Sequence, residues 1–160
     1  MTGRQTDTQA GSAILILLGT LGCHGKPPRA DVPAAGEVQA LIAQGAGANV
    51  AVTDSSSGDP ALRPQTLPGG VPAVAARVEA AIATLPRWRL EGAAPGVIWA
   101  TRATRVFRFV DDVYVLMQPA DPAGDSTRLE VRSASRLGRK DFGQNRRNLK
   151  ELGRALEDTK

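Results

Sequence analysis

The chain has 160 residues, with 20 Lys and Arg against 16 Asp and Glu, and it contains one Cys and one His. This length is typical of a single domain. A single Cys excludes an intrachain disulfide and a Cys-rich zinc site, and a single His excludes a multi-His metal site. Because His24 directly follows Cys23, a Ser-His-Asp triad inside the folded part is excluded as well. We therefore expect no metal ion and no other cofactor.

The first 22 residues have the pattern of an export signal. Residues 1–12 are polar, and residues 13–22 form an apolar run of about half the length that a membrane-spanning helix needs. The end of this run resembles a bacterial lipoprotein signal, since Gly22 and Cys23 match its box, whereas Thr20 replaces the usual Leu. We expect a signal peptide over 1–22, lipid attachment at Cys23 and a location on the extracytoplasmic face of a cell-envelope membrane. Ordinary signal cleavage, an uncleaved anchor and no export remain alternatives.

Two weakly patterned regions precede the first clear helix. Residues 23–48 are rich in Pro, Gly and Ala and predict a lipid-anchored tether, within which residues 37–44 can form two helical turns. Residues 45–70 are mostly irregular by composition, with a short edge strand at 49–53. A helix is predicted over 71–86, because its apolar residues recur every three or four positions. These residues are Val71, Val74, Val78, Ile82 and Leu85.

Alternating apolar and polar residues predict three strands, over 96–105, 106–118 and 126–136. The segment PADPAGD between the last two is typical of a turn, so we expect a hairpin. All aromatic residues, two Trp, one Tyr and three Phe, lie between residues 88 and 142. Because aromatic side chains bury the most apolar area, the core is expected mainly in this part of the chain.

A final helix is predicted over 141–158, with Asp141 as its N-cap and with Phe142, Leu149, Leu152 and Leu156 on one face. Helix, antiparallel strands and helix in this order indicate an α+β fold. We expect a two-layer antiparallel β-sheet packed against an N-side helix and a C-terminal helix. Residues 49–160 would form this single domain.

Adjacent carboxylates on the second strand are the first candidate for chemistry. Neighbouring strand residues point to opposite sides of a sheet, so Asp111 and Asp112 are a poor acid/base pair. In a hairpin centred near Ala123, Asp112 is opposite Ala134 and diagonal to two cations, which predicts cross-strand ion pairs. These two cations are Arg132 and Arg136.

Asp111 is expected on the other face, with Ser133, Ser135 and Asn145 of the final helix, in a partly buried polar network. One interpretation is structural, in which the network pins the helix to the sheet. The other is a small ligand pocket between sheet and helix, with Arg132 or Arg136 at its rim holding an anion. Asp141 and Arg146 complete this set of candidate residues.

The basic residues are concentrated near the C-terminus, where residues 128–154 hold nine Arg and Lys against Glu130, Asp141 and Glu151. This segment is typical either of a solvated face with ion pairs or of a surface for an anionic or lipid-like ligand. Nucleic-acid binding is a third possibility. It is disfavoured by the export signal and by the few aromatic residues for base stacking.

Three segments resemble a family of uncharacterised proteins, the domain-of-unknown-function 1499 family. They are PRWRLEG, FRFVDDVYVLMQP and RLEVRSASRLGRKDFGQNRRNL. The matching positions are Phe109, Val110, Asp111, Asp112, Arg132, Ser133, Ala134, Ser135, Arg136, Gly138, Asp141, Gly143, Asn145 and Arg146. The resemblance covers roughly residues 49–156. Phe142 replaces a usual Leu, and the family's early Cys is absent, since Asn49 is followed by Val50. The family occurs in bacteria and plastids, and the resemblance implies no particular activity.

The sequence therefore predicts an envelope lipoprotein whose small α+β domain is a non-catalytic binding or structural module. The alternative is a small enzyme or carrier that uses the Asp/Ser/Arg cluster on a lipid-like or anionic ligand. The expected contacts are a membrane, through the lipid anchor, and such a ligand. The sequence indicates no oligomeric state.

Overall fold

One antiparallel sheet organises the domain. The computed structural model describes residues 29–105, 107–138 and 142–158. The strands run in the order β1-β6-β5-β4-β3, and β2 also pairs with β6. The pairings are all antiparallel. The strands are β1 (Val50–Val52), β2 (Gln65–Pro68), β3 (Trp88–Ala94), β4 (Val97–Ala103), β5 (Val110–Pro119) and β6 (Ser126–Ser135). This sheet, with its N-side and C-terminal helices, confirms the predicted α+β class.

Two helices cover one face of the sheet, and they enclose the main core. They are α2 (Val71–Thr84), which ends two residues before the predicted stop at Pro86, and α3 (Gln144–Asp158). Their apolar stripes pack against the inward side chains of the central strands. The fully buried residues of this core include Val78, Ile82, Ile98, Val113, Val115, Leu129, Leu152 and Leu156.

A third helix, α1 (Ala35–Ala43), packs on the opposite face of the sheet. Val38 is fully buried there against Trp99, Tyr114 and Leu116. Val32 also lies on the sheet, and a Cβ atom at Gly92 would be only 2.6 Å from its Cγ2 atom. In residues 29–48, the described part of the segment predicted as a tether, the helical turns expected over 37–44 are present as α1. The apolar side chains of residues 32–42 form a stripe that packs on the sheet. The high Pro, Gly and Ala content of the segment made this pattern hard to recognise in the sequence.

The hairpin of β5 and β6 has the register on which the candidate site depends. Asp111 is opposite Ser135, and Asp112 is opposite Ala134. At the other end, the Ala120 amide donates to the Ser126 carbonyl, and the Asp121 carboxylate accepts from turn amides. Since alternate residues of a strand share a face, this register puts Asp111 under α3 and Asp112 under α1.

The strand predicted over 106–118 begins later than expected, at Val110. Arg108 has a φ of 51°, which a strand does not accommodate, and the Thr104 amide donates to the Phe109 carbonyl to close a loop. Phe107 and Phe109 therefore lie in the β4–β5 loop, and they are 74% and 45% exposed. Phe142, which was predicted on the apolar face of the final helix, is also outside the core and is 87% exposed.

Strands β2 and β3 were not predicted. The four residues of β2 have no alternating pattern, and their stability comes from the ladder with Ser126–Leu129 of β6. Strand β3 is a sheet edge whose register shifts between Leu90 and Gly92, which breaks its alternation. Among the described residues, no helix has the length and apolar character that crossing a membrane requires.

Candidate functional site

Asp111 is the centre of a buried polar network between the sheet and α3. It is 1% exposed. The Ser135 hydroxyl donates to its Oδ1 atom at 2.6 Å, and the Asn148 side-chain amide donates to Oδ2 at 2.8 Å. A buried carboxyl group is tolerated only where such partners replace its water, and β6 and α3 supply them here.

Two asparagines of α3 connect this carboxylate to the rest of the network. The Asn145 side-chain amide donates to the Asn49 carbonyl at 2.9 Å and to Ser135 Oγ at 3.0 Å, and its Oδ1 accepts from Ser133 Oγ at 2.6 Å. The Asn148 amide also donates to Ser133 Oγ at 3.0 Å. Ser133, Asn145 and Asn148 are fully buried. The first turns of α3 therefore have polar contacts with Asn49, which precedes β1, and with β5 and β6.

The structure brings together the four predicted members of this network, Asp111, Ser133, Ser135 and Asn145. Sequence reasoning missed Asn148. The spacing contained the signal, because residues three apart on a helix share a face and Asn145 was already placed on the sheet side. Asn148 is the group that contacts both Asp111 and Ser133.

Asp112 lies on the opposite face of the sheet, in the α1 layer. Its two carboxylate oxygens accept from Arg136 at 2.9 and 2.7 Å, and Oδ1 also accepts from the Trp99 indole at 2.9 Å. The cross-strand ion pair predicted for Asp112 is thus present with Arg136. This contact raises the pKa of the Arg136 guanidinium.

The arginines do not lie where the ligand-pocket hypothesis placed them. Arg132 and Arg136 share the face of Tyr114 and α1, so neither can form the rim of a pocket beneath α3. That hypothesis took the arginines from the opposite face of β6, although strand alternation separates them from Ser133 and Ser135. Arg132 is 8% exposed, and burial lowers the pKa of its guanidinium.

A pocket lined by aromatic residues opens beside the buried network, and sequence reasoning missed it. Its volume is about 320 Å³, and its walls include Phe107, Phe109 and Phe142, which are all three phenylalanines of the chain. The rings of Phe107 and Phe109 stack with centroids 5.5 Å apart. Further lining residues are Thr104, Arg105, Asp111, Ser135, Leu137, Gly138, Gln144 and Arg147.

Two connecting segments hold these phenylalanines. The Phe109 amide donates to Thr104 Oγ1 at 2.9 Å, which closes the β4–β5 loop. Phe142 precedes α3 with a φ of 47°, a left-handed conformation that disfavours a bulky residue. Arg147 donates to the Phe142 carbonyl at 3.1 Å and to the Gln144 side chain. The pocket is therefore built from a loop and a helix start, each of which is held by its own hydrogen bonds.

The other predicted site residues lie apart from these two features or outside the described part of the chain. Arg146 is exposed and lines a separate groove of about 500 Å³ beside β1. Asp141 and Cys23, with the signal segment over 1–22, fall outside the described residues. Within the described ranges, no group of three or more His, Cys, Asp or Glu side chains could hold a metal ion.

The fold and site define a small α+β domain with a sealed polar network and an adjoining aromatic pocket. The model of a family described as "Protein of unknown function (DUF1499)" matches residues 23–156. The chain belongs to this family, as its sequence motifs suggested. No curated protein matches the chain. One solved structure, that of TTHA0849 from Thermus thermophilus, is similar to 60% of this chain and 92% of its own, with 10% identity and a TM-score of 0.32.

Proposed function

We propose that this protein is a non-catalytic binding module for a lipid-like anion, which occupies the pocket formed by Phe107, Phe109 and Phe142. The observation that carries the proposal is that every phenylalanine of the chain is exposed around one cavity. Exposed aromatic residues that converge on a concave site are typical of a surface that a ligand covers. The volume of about 320 Å³ is in the range of small-molecule sites.

The charges around the pocket favour an anionic headgroup. Arg105 and Arg147 belong to its walls, and Arg108 is exposed in the same loop. Among the described lining residues, only Asp111 carries a carboxyl group, and it is 1% exposed. A ligand with an apolar chain against the phenylalanines would therefore keep its acidic group at the arginines.

The network next to the pocket supports a role in binding over a role in catalysis. The Asp111 carboxyl group is part of the pocket lining, and its oxygens accept from Ser135 and Asn148. A general base needs an oxygen within reach of the substrate's proton. A carboxylate that is buried and committed to neighbouring donors serves better to position α3 and the loops around the pocket.

Titration calorimetry with dodecyl phosphate below its micelle concentration tests this proposal. We expect saturable 1:1 binding to the parent chain, and affinity weaker by about tenfold or more in Phe107→Ser, because the ligand loses an aromatic contact. Leu90→Ser is the matched control, since Leu90 is also a large exposed apolar residue but lies on β3. Equal affinity in Phe107→Ser and Leu90→Ser would contradict the proposal.

Two further ligands separate the alternatives. Dodecyl maltoside carries the same chain with a neutral head, so we expect it to bind more weakly than dodecyl phosphate. Vesicles of anionic phospholipid test a docking surface: binding to vesicles with no binding of monomeric dodecyl phosphate would replace the ligand pocket by a membrane contact.

We also propose that export and lipid attachment at Cys23 hold the domain at a cell-envelope membrane. The support is the apolar run ending in Thr-Leu-Gly-Cys, and the family match starts at Cys23 itself. Acyl chains stabilise membrane binding by about 0.8 kcal/mol for each buried methylene. Labelling cells with an acyl-chain analogue should modify the parent and not Cys23→Ala, while Thr20→Leu should be modified at least as well. Unlabelled, unprocessed parent protein would refute the anchor.

A further inference from the structure

A small cavity on the α1 face of the sheet brings three arginines together. Its volume is about 130 Å³. It lies between α1 and the strands β5 and β6, on the side opposite the buried network. The residues around it are Arg29, Leu41, Asp112, Tyr114, Arg132, Ala134, Ser135 and Arg136.

Two of the three arginines have carboxylate partners. Arg29 pairs with Glu37 at 2.7 Å, and Arg136 pairs with Asp112 at 2.7 Å. The Asp112 carboxylate has little capacity left, because it accepts two bonds from Arg136 and one from the Trp99 indole. The two carboxylates beside the cavity, Glu37 and Asp112, are thus already paired with Arg29 and Arg136.

Arg132 is the arginine without a carboxylate. Within residues 29–105, 107–138 and 142–158, no carboxylate lies within ion-pair distance of it, and its Nε atom has no hydrogen-bond partner. It is nevertheless 92% buried, since its exposed fraction is 8%. A buried guanidinium that has no close ion-pair partner, and whose Nε–H lacks an acceptor, is costly for a folded protein.

We infer that this cavity is a binding site for a small oxyanion of the phosphate class, held by Arg132 with Arg29, Arg136 and the Tyr114 hydroxyl around it. Three cations against Glu37 and Asp112 leave one positive charge for the anion to neutralise. Arginine guanidinium groups match the geometry of phosphate oxygens. The volume of about 130 Å³ admits one such group but is small for a nucleotide.

The protonated hydroxyl of Tyr114 is consistent with an anion site. Burial, with a further contribution from Asp112, raises the pKa of its hydroxyl, so Tyr114 stays neutral at physiological pH and can donate a hydrogen bond to an anion. The site does not depend on the aromatic pocket, because the two lie on opposite faces of the sheet. Failure of one proposal therefore leaves the other standing.

Thermal unfolding with inorganic phosphate, against chloride at equal ionic strength, tests the inference. We expect a saturable rise in the melting temperature of the parent chain with phosphate only. Arg132→Met should weaken phosphate binding by about tenfold or more, because it removes a charged donor. Arg128→Met is the matched control, since Arg128 is on the same strand but its side chain is 40% exposed and paired with Glu130. Equal phosphate effects in all three proteins, or none in the parent, would overturn the site.

Nuclear magnetic resonance of the parent chain gives a second readout that needs no variant to fold. The Nε–H resonance of Arg132 should shift saturably with phosphate and not with chloride, and a stationary resonance would overturn the inference. Glycerol phosphate distinguishes the two sources of the same chemistry. Tighter binding than inorganic phosphate assigns the site to a lipid headgroup, and equal or weaker binding assigns it to the free ion.

Discussion

At the start of α3, two neighbouring regions invert the usual distribution of side chains. The network under the helix buries polar groups, with Asp111, Ser133, Asn145 and Asn148 all at most 1% exposed. The pocket beside it exposes apolar rings, with Phe142 at 87%. Burial of apolar surface stabilises proteins and burial of unpaired polar groups destabilises them, so each region needs its own explanation.

Hydrogen bonds explain why the polar side chains of the network can be buried. No contact within the described chain explains why the phenylalanines of the pocket are exposed. The network's side chains donate and accept among themselves and to the Asn49 carbonyl, which makes them a specific joint between helix and sheet. The phenylalanines pack on one another and line a cavity, so they add little to folding. Variants should accordingly affect stability in the network and ligand binding in the pocket.

The largest effect is expected from Asn145→Leu. The change removes the hydrogen bonds of Asn145 to the Asn49 carbonyl, Ser133 and Ser135, so each of these groups loses a partner. The free energy of unfolding, measured with urea, should fall by about 3 kcal/mol. Arg154→Leu is the control on the exposed side of the same helix and should change it by less than about 0.5 kcal/mol. Equal urea midpoints for Asn145→Leu and the parent would show that the joint contributes nothing.

Ser133→Ala should have a smaller effect of the same kind. The hydroxyl donates to Asn145 at 2.6 Å and accepts from Asn148 at 3.0 Å, and both asparagines keep other partners when it is lost. We expect a loss of about 1.5 kcal/mol in the urea experiment, with dodecyl phosphate affinity unchanged. If Ser133→Ala has normal stability but no longer binds the ligand, Ser133 belongs to the binding site and not to the joint.

Phe142→Gly should change stability and binding in opposite directions. Glycine accepts a φ of 47° without strain, and the lost ring is almost fully exposed, so the free energy of unfolding should rise by about 0.5 kcal/mol. Dodecyl phosphate should bind about tenfold more weakly, because the pocket loses one aromatic wall. Unchanged affinity together with lower stability would assign Phe142 to the fold.

The smallest effect concerns pH, at Glu91 on the edge strand β3. Hydrogen bonds from Arg89 and Thr101 lower the pKa of Glu91 below its usual value. A depressed carboxyl pKa contributes stability above the usual pKa, and this contribution is lost as pH falls through the folded-state value. Glu91→Gln should therefore be slightly less stable than the parent near neutral pH and equal to it in acid. A difference that grows in acid would contradict this sign.

The network and the pocket differ in how far the sequence predicted them. Strand alternation and a single hairpin centre were sufficient to put Asp111 with Ser133 and Ser135, since period and register are local properties. The pocket depends on the left-handed conformations of Arg108 and Phe142, which take the phenylalanines out of a regular strand and helix. Neither Arg nor Phe predicts a left-handed backbone conformation. The alternating pattern of residues 106–109 predicted a strand instead.

The elements of the fold also divide into those that the local sequence pattern predicts and those that it does not. Helix α2 and strands β4, β5 and β6 have clear periodicity, and the structure has them close to the predicted bounds except at the start of β5, which is Val110. Strand β2 and the packing of α1 depend on contacts with distant partners, namely β6 for β2 and the outer face of the sheet for α1. The sequence could not predict the arginine cavity. That Arg132 is buried without a carboxylate partner depends on all of its neighbours in the folded chain.

The most direct test of the proposed function is an aromatic-ring resonance titration of the parent chain with monomeric dodecyl phosphate. The resonances of Phe107, Phe109 and Phe142 should shift together and saturate at one ligand per chain, while the indoles of the buried Trp88 and Trp99 stay unchanged. Phenylalanine resonances that remain stationary while the ligand is shown to bind elsewhere, or no binding at all, would contradict the account.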